Sequence, residues 1–195
     1  MISDKPGFDA MAGALLRGYK RLLLAVILTL SAGCSSVVSH PDEPLTLRLL
    51  PPLSDVQQVL KQKVLLQIQD VEKEFLVVSR LSPENTVAVV LMPTGQTVLQ
   101  LQYDGKDFSQ QVFLPGDVPG QELLAIMQFS VWPEAVVRDE YNALPGWHAQ
   151  FSQGMRSLSW KNQLLLQVKQ TAGQLTVMNH LHGYQVVIND LENDQ

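Results

Sequence analysis

Thr97 to Tyr103 reads TVLQLQY, and its alternation decides how the rest of the chain is read. Leu99, Leu101 and Tyr103 fall on one face of an extended segment while Gln100 and Gln102 fall on the other, the period-two pattern of a half-buried strand. Thr94-Gly95 precedes the segment and Asp104-Gly105 follows it, both dipeptides suited to the positive φ of hairpin turns. The pattern recurs on either side. Val64, Leu66 and Ile68 alternate with Gln67 and Gln69, and Leu164, Leu166 and Val168 alternate with Gln167 and Lys169 before a turn at Ala172-Gly173. An antiparallel meander is expected over most of the chain.

Two runs depart from alternation, Phe75 to Val78 and Val87 to Met92, where both faces are apolar. Such strands need cover on both sides. Two readings stand: central strands packed by helix on one face and loops on the other, or a sheet whose concave face lines an apolar cavity. Between the strands, Pro119 suits a first helical turn, and Leu123, Leu124, Ile126, Met127 and Val131 follow helical spacing. Trp132 ends that helix because it precedes a proline; Pro133 and Glu134 open a second, running to about Tyr141. Leu144-Pro145-Gly146-Trp147 turns the chain back into strands. The order of strands, helical insert and strands predicts an α+β domain with helices laid on one face of an antiparallel sheet.

The N-terminal segment has a different character. Arg17, Lys20 and Arg21 precede the apolar run Leu22 to Leu30, and small residues Ser31, Ala32 and Gly33 follow, the order of a signal peptide. Nine apolar residues at about 1.5 Å rise span only ~14 Å, short of a hydrocarbon core roughly 30 Å thick. The domain scheme is therefore a signal peptide over 1–33, a tether over 34–44 and a folded domain over 45–195. Met11 is a second candidate start. The tether, Ser35 to Pro44, combines Ser, Pro and charge without periodicity and reaches at most roughly 35 Å when extended.

Of the chain's 14 basic and 19 acidic residues, four basic and two acidic ones precede Cys34, so the part that follows has 10 basic and 17 acidic residues, a net charge of −7. Nucleic acid is an unsuitable partner, since no Lys or Arg cluster is present to displace counterions from phosphates. The single cysteine, Cys34, has no disulfide partner. There is no Gly-x-Ser-x-Gly elbow, Walker loop or His-Glu-x-x-His motif. His180 and His182 alternate onto one strand face in this reading but lack a third ligand nearby in sequence. Asp139 and Glu140 are adjacent on a helix, where side chains diverge. No catalytic residue, metal or cofactor is expected, and an enzyme is not the favoured reading.

Two resemblances add to this. LSAGC, Leu30 to Cys34, resembles the lipobox of bacterial lipoproteins, although Ser31 stands three places before the cysteine where leucine is usual. This implies diacylglyceration of Cys34, cleavage after Gly33 and acylation of the new amino terminus; two or more acyl chains make a stable anchor. Ser35, in place of an aspartate, implies the periplasmic face of the outer membrane. MPTGQTVLQLQYDG (92–105), LLAIMQFSVWP (123–133) and NHLHGYQVVI (179–188) together resemble a proteobacterial lipoprotein family catalogued as domain of unknown function 3261, with the fold of the lipoprotein carriers LolA and LolB. The resemblance implies a curved antiparallel sheet forming an incomplete β-barrel, with helices over its open side and an apolar cavity for acyl chains. Candidate cavity residues are then Leu99, Leu101, Tyr103, Leu124, Met127 and Trp132. A LolB-type membrane-touching hairpin tip corresponds to Met92, Pro93, Thr94 and Gly95, with Thr94 where that receptor carries leucine. The expected function is non-enzymatic binding of a lipid or an acylated protein by a membrane-anchored monomer. The alternative is a structural or interaction module of an envelope or lipid-biosynthesis complex.

Overall fold

Alternation of the kind in Thr97 to Tyr103 produces ten strands among the described residues of the computed structural model, which are 45–116 and 118–191. The segments expected to be a signal peptide and a tether, and Cys34 between them, lie outside the described residues. The first five strands are β1 (Gln58–Ile68), β2 (Val71–Leu81), β3 (Thr86–Leu91), β4 (Thr97–Tyr103) and β5 (Phe108–Val112). Helices α1 (Gly120–Val131) and α2 (Glu134–Asn142) follow. The chain then returns through β6 (Trp147–Ser152), β7 (Met155–Trp160), β8 (Gln163–Thr171), β9 (Gln174–Asn179) and β10 (Tyr184–Asp190).

All ten strands form one antiparallel sheet in the order β5-β4-β3-β2-β1-β10-β9-β8-β7-β6. Two five-stranded meanders are therefore joined by the pairing of the first strand with the last, in register from Gln62 opposite Asp190 to Ile68 opposite Tyr184. The helical insert connects the two outer strands, β5 and β6, which do not pair with each other. The domain is α+β with an open sheet.

That sheet is strongly curled. Laid flat, ten strands at ~4.8 Å spacing would be about 43 Å across, whereas the twelve residues of α1 span only about 18 Å. Yet α1 touches both halves of the sheet. Its Met127 Sδ accepts a hydrogen bond from Ser79 of β2, its Glu122 accepts one from Asn179 of β9, and its Phe129 ring lies 6.5 Å from Phe151 of β6. A Cβ added at Gly120 would lie 2.6 Å from Leu101 Cδ2 on β4 and against Gln110 of β5. Glycine is needed there because the start of the helix is pressed onto those strands. The sheet thus wraps around α1, while α2 packs on the edge strand β6.

A helix inside a curl is buried on more than one side, which explains why α1 carries Leu124, Ala125, Ile126, Gln128, Phe129 and Ser130 all buried. Its end is set by Trp132, which takes an extended backbone before Pro133 and donates its N–H to Gln128 O. Residues preceding β1 complete the core: Leu47 and Leu50 are buried with Leu99, Leu101, Leu124, Phe129, Leu158, Leu166 and Val177.

The two apolar runs on β2 and β3 show how their faces are used. Ser79 and Ala88 lie opposite each other on the inner face, buried, with α1 supplying Met127 above Ser79. On the outer face Val78, opposite Val89, stays 37% exposed. One strand expectation is corrected. Leu164 was expected inside with Leu166 and Val168, but it is 38% exposed and Leu165 is buried instead. The cause is a bulge: Leu158 pairs with Leu166 and Ser159 with Leu164, so Leu165 is the extra residue that reverses the phase.

Candidate functional site

A groove of ≈ 330 Å³ opens beside the C-terminal end of α1, at the low end of the size range of ligand pockets. Strand register explains its position. Leu81 at the end of β2 is opposite Gln58 at the start of β1, and Leu60, Gln62 and Ile188 follow on the same inner face. Leu175 enters from β9, opposite Ile188, while Val131 and Trp132 close one side from the helix. Leu53 and Val56 come from the segment that precedes β1. The apolar wall is therefore built from strand ends, a helix end and a connecting segment.

The polar residues of the groove are unevenly distributed. Gln58, Gln62, Gln170 and Gln174 are uncharged, and Gln62 donates to Asp190 Oδ1 at 2.9 Å. Arg156, half-buried on β7, is the basic group of the lining. Its Nη1 donates to Trp132 O at 2.6 Å and to Phe129 O at 3.2 Å, two carbonyls at the C-terminal end of α1. A cation is favoured there by the helix dipole as well as by the hydrogen bonds. Burial lowers the pKa of Arg156 from its usual value, and the charge of Glu134 opposes that shift; a guanidinium remains charged regardless. Its Cζ also lies 5.7 Å from the centre of the ring of Phe151, the residue opposite it on β6.

The candidates named from sequence fall in three places. Leu99, Leu101, Tyr103 and Leu124 are buried in the core, each no more than 8% exposed, and Met127 packs against that core in contact with Ser79. Trp132 lines the groove, with its indole N–H donating to Pro51 O at 3.0 Å. Met92, Pro93 and Thr94 form the β3–β4 hairpin, closed by Gly95 N–H to Met92 O and carrying exposed Pro93 and Thr94. Gly95 takes φ 88°, the left-handed conformation the turn requires. This tip and the groove lie at opposite ends of the strands, because β3 runs from Thr86, paired with the groove residue Leu81, up to the tip.

Arg156 was not singled out from sequence, although a signal was present. It stands two residues before Leu158 on one strand, so alternation places it on the same inner face as a fully buried leucine.

The histidines are corrected. His180 and His182 lie in the β9–β10 turn rather than on a strand face, because Asn179 O and Oδ1 accept hydrogen bonds from Gly183 N–H and His182 N–H and fold the chain back. His182 Nε2 approaches Glu122 Oε2 at 3.0 Å, and Glu122 Oε1 accepts from Asn179 and Tyr184. Burial pushes the Tyr184 phenol up to about 12. Glu140, beside Asp139 on α2, pairs with Arg48 at 3.3 Å. Among the described residues no group of three or more His, Cys, Asp or Glu is placed to hold a metal, and no helix is long and apolar enough to cross a membrane.

A family model described as a protein of unknown function (DUF3261) covers residues 59–192, β1 through the end of β10. No curated protein matches the chain.

Proposed function

The chain belongs to this DUF3261 family, and from that premise we propose that it is an outer-membrane lipoprotein, anchored through Cys34 on the periplasmic side, that binds an acyl chain without chemistry. The observation carrying the proposal is the groove: Leu60 of β1, Leu175 of β9 and Ile188 of β10, with Leu53 and Val56 ahead of β1, line ≈ 330 Å³ of open space together with Trp132, beside a core whose central leucines are fully buried. The apolar side chains among the lining can hold an alkyl chain by excluding water, its glutamines, Arg156 and Asp190 offer places for a polar head, and no catalytic group is needed. The curled open sheet around α1 agrees with the LolA/LolB-like incomplete barrel that the sequence resemblance implies. The acyl site belongs at the strand ends around Trp132 rather than among Leu99, Leu101, Tyr103 and Leu124, which already fill the interior. Lipid or the acylated end of another protein is the cargo class, and the LSAGC segment with Ser35 supports the anchor and its location.

The filled interior also favours a second reading, an interaction module of an envelope complex with no ligand of its own. Native mass spectrometry separates the two. The Cys34→Ser protein, which has no anchor of its own, should retain a co-purified or added long-chain amphiphile. Failure to retain any amphiphile under gentle conditions leaves the interaction module. In cells, the unsubstituted chain should incorporate radiolabelled palmitate and sediment with outer membranes, and the serine variant should do neither.

A further inference from the structure

We infer that the groove receives a single-chain amphiphile with a carboxylate head, and that Arg156 binds that head. This rests on the acyl-binding reading above and deepens it by naming the ligand class. The groove is too small for a lipid with two long chains but within the lower range for a drug-sized ligand. Its walls are not uniformly apolar, as a site for a plain hydrocarbon would be. The guanidinium of Arg156 shares the lining with Leu175, Ile188 and Trp132, and with the carboxylate of Asp190.

The holding geometry matters. Both hydrogen bonds of Arg156 leave from Nη1, toward the carbonyls of Phe129 and Trp132. Among the described residues, no acceptor within the protein engages Nε or Nη2. The guanidinium is therefore fixed in orientation by the helix end, and its remaining fork of donors is the one that matches a carboxylate with two parallel bonds. Nearby carboxylates do not take that place: Asp190 accepts from Gln62, Glu134 lies 3.9 Å from Arg138, and neither forms an ion pair with Arg156. Half-buried and prealigned, such a cation loses little side-chain freedom on binding, and a charge-assisted bond there is stronger than one in water.

The test uses the full-length protein, produced in a Gram-negative host and held in phosphatidylcholine nanodiscs, with three photoreactive diazirine probes of equal chain length: hexadecanoic acid, hexadecanol and hexadecyl phosphate. Labelled peptides are mapped by mass spectrometry. The acid should label the groove strands, β1, β9 and β10, about tenfold more than the alcohol, as expected for one charge-assisted pair. Arg156→Gln should remove that preference, bringing labelling by the acid down to that by the alcohol in the same variant, and Asp190→Asn should increase labelling by the acid. Equal labelling by acid and alcohol in the unsubstituted protein overturns the head assignment while the acyl-binding reading stands. A preference for the phosphate over the acid overturns the carboxylate. Absence of groove labelling by all three overturns both readings. Because the acid-to-alcohol comparison is made in the unsubstituted protein, it holds even if Arg156→Gln fails to fold.

Discussion

Gln128 grips the backbone of Leu50 with both ends of its side-chain amide: Nε2 donates to Leu50 O and Oε1 accepts from Leu50 N–H, each at 2.8 Å. Both residues are fully buried, and 78 positions separate them in the chain. Replacing Gln128 with leucine, similar in size but without donor or acceptor, leaves the Leu50 N–H and C=O buried and unpaired. At roughly 1–3 kcal/mol for each of the two abandoned groups, a loss of about 2–6 kcal/mol is expected in urea unfolding, with the midpoint displaced and the slope unchanged. An unaltered midpoint would show that water reaches Leu50.

Much of this fold is legible in the residues. TVLQLQY becomes β4 at its stated limits, and the helix expected to stop at Trp132 does stop there, because proline chemistry acts locally. What local pattern misses is what distant segments supply. The Leu165 bulge depends on β7 having Leu158 and Ser159 where it does, which no property of LLLQV announces. Nor does an apolar helix reveal that a sheet will curl around it; Gln128 is a fully buried polar residue toward its C-terminal end, and its partner lies in a segment with no regular structure. The groove is harder still, since Leu53, Trp132, Arg156, Leu175 and Ile188 converge from five separate elements.

Thr86 offers a contrasting case. It is buried at 1% exposure opposite Tyr103 and Leu81, and its Oγ1 has no hydrogen-bond partner among the described residues. Valine preserves the branched shape and discards the stranded hydroxyl. Thr86→Val should raise stability by about 1 kcal/mol, read as a higher melting temperature. A lower one would reveal an acceptor or a water at Oγ1.

Alkaline pH should weaken the fold through Tyr184. In the folded protein its phenol is pushed up to about 12, by burial first and by the Glu122 carboxylate as a lesser cause, whereas an unfolded tyrosine ionises near 10. Between those values the unfolded state has released a proton that the folded state still holds, so stability falls as pH rises. The contribution is whole below about pH 10 and gone above the folded value. Tyr141, raised in the same direction by burial, adds to the trend. Melting temperatures at pH 9 and pH 11 should differ less in Tyr184→Phe than in the unsubstituted protein. Equal differences would mean that Tyr184 is free to ionise in the fold.

The groove can be filled without disturbing the core. Leu175 lines it from β9, opposite Ile188 and two residues before the fully buried Val177, so its side chain points inward at a place where the wall is open. Enlarging a residue in a packed interior costs about 1–3 kcal/mol because neighbours must leave their rotamers. Here ≈ 330 Å³ of open space receives the added ring. Leu175→Trp should therefore keep the urea midpoint close to that of the unsubstituted protein while reducing retention of a long-chain amphiphile severalfold in native mass spectrometry. Leu99→Ala, in the filled interior, should do the reverse: a loss of about 2–5 kcal/mol in stability with retention preserved under folding conditions. If Leu175→Trp folds normally and holds the amphiphile as well as before, the acyl chain is bound elsewhere on the protein.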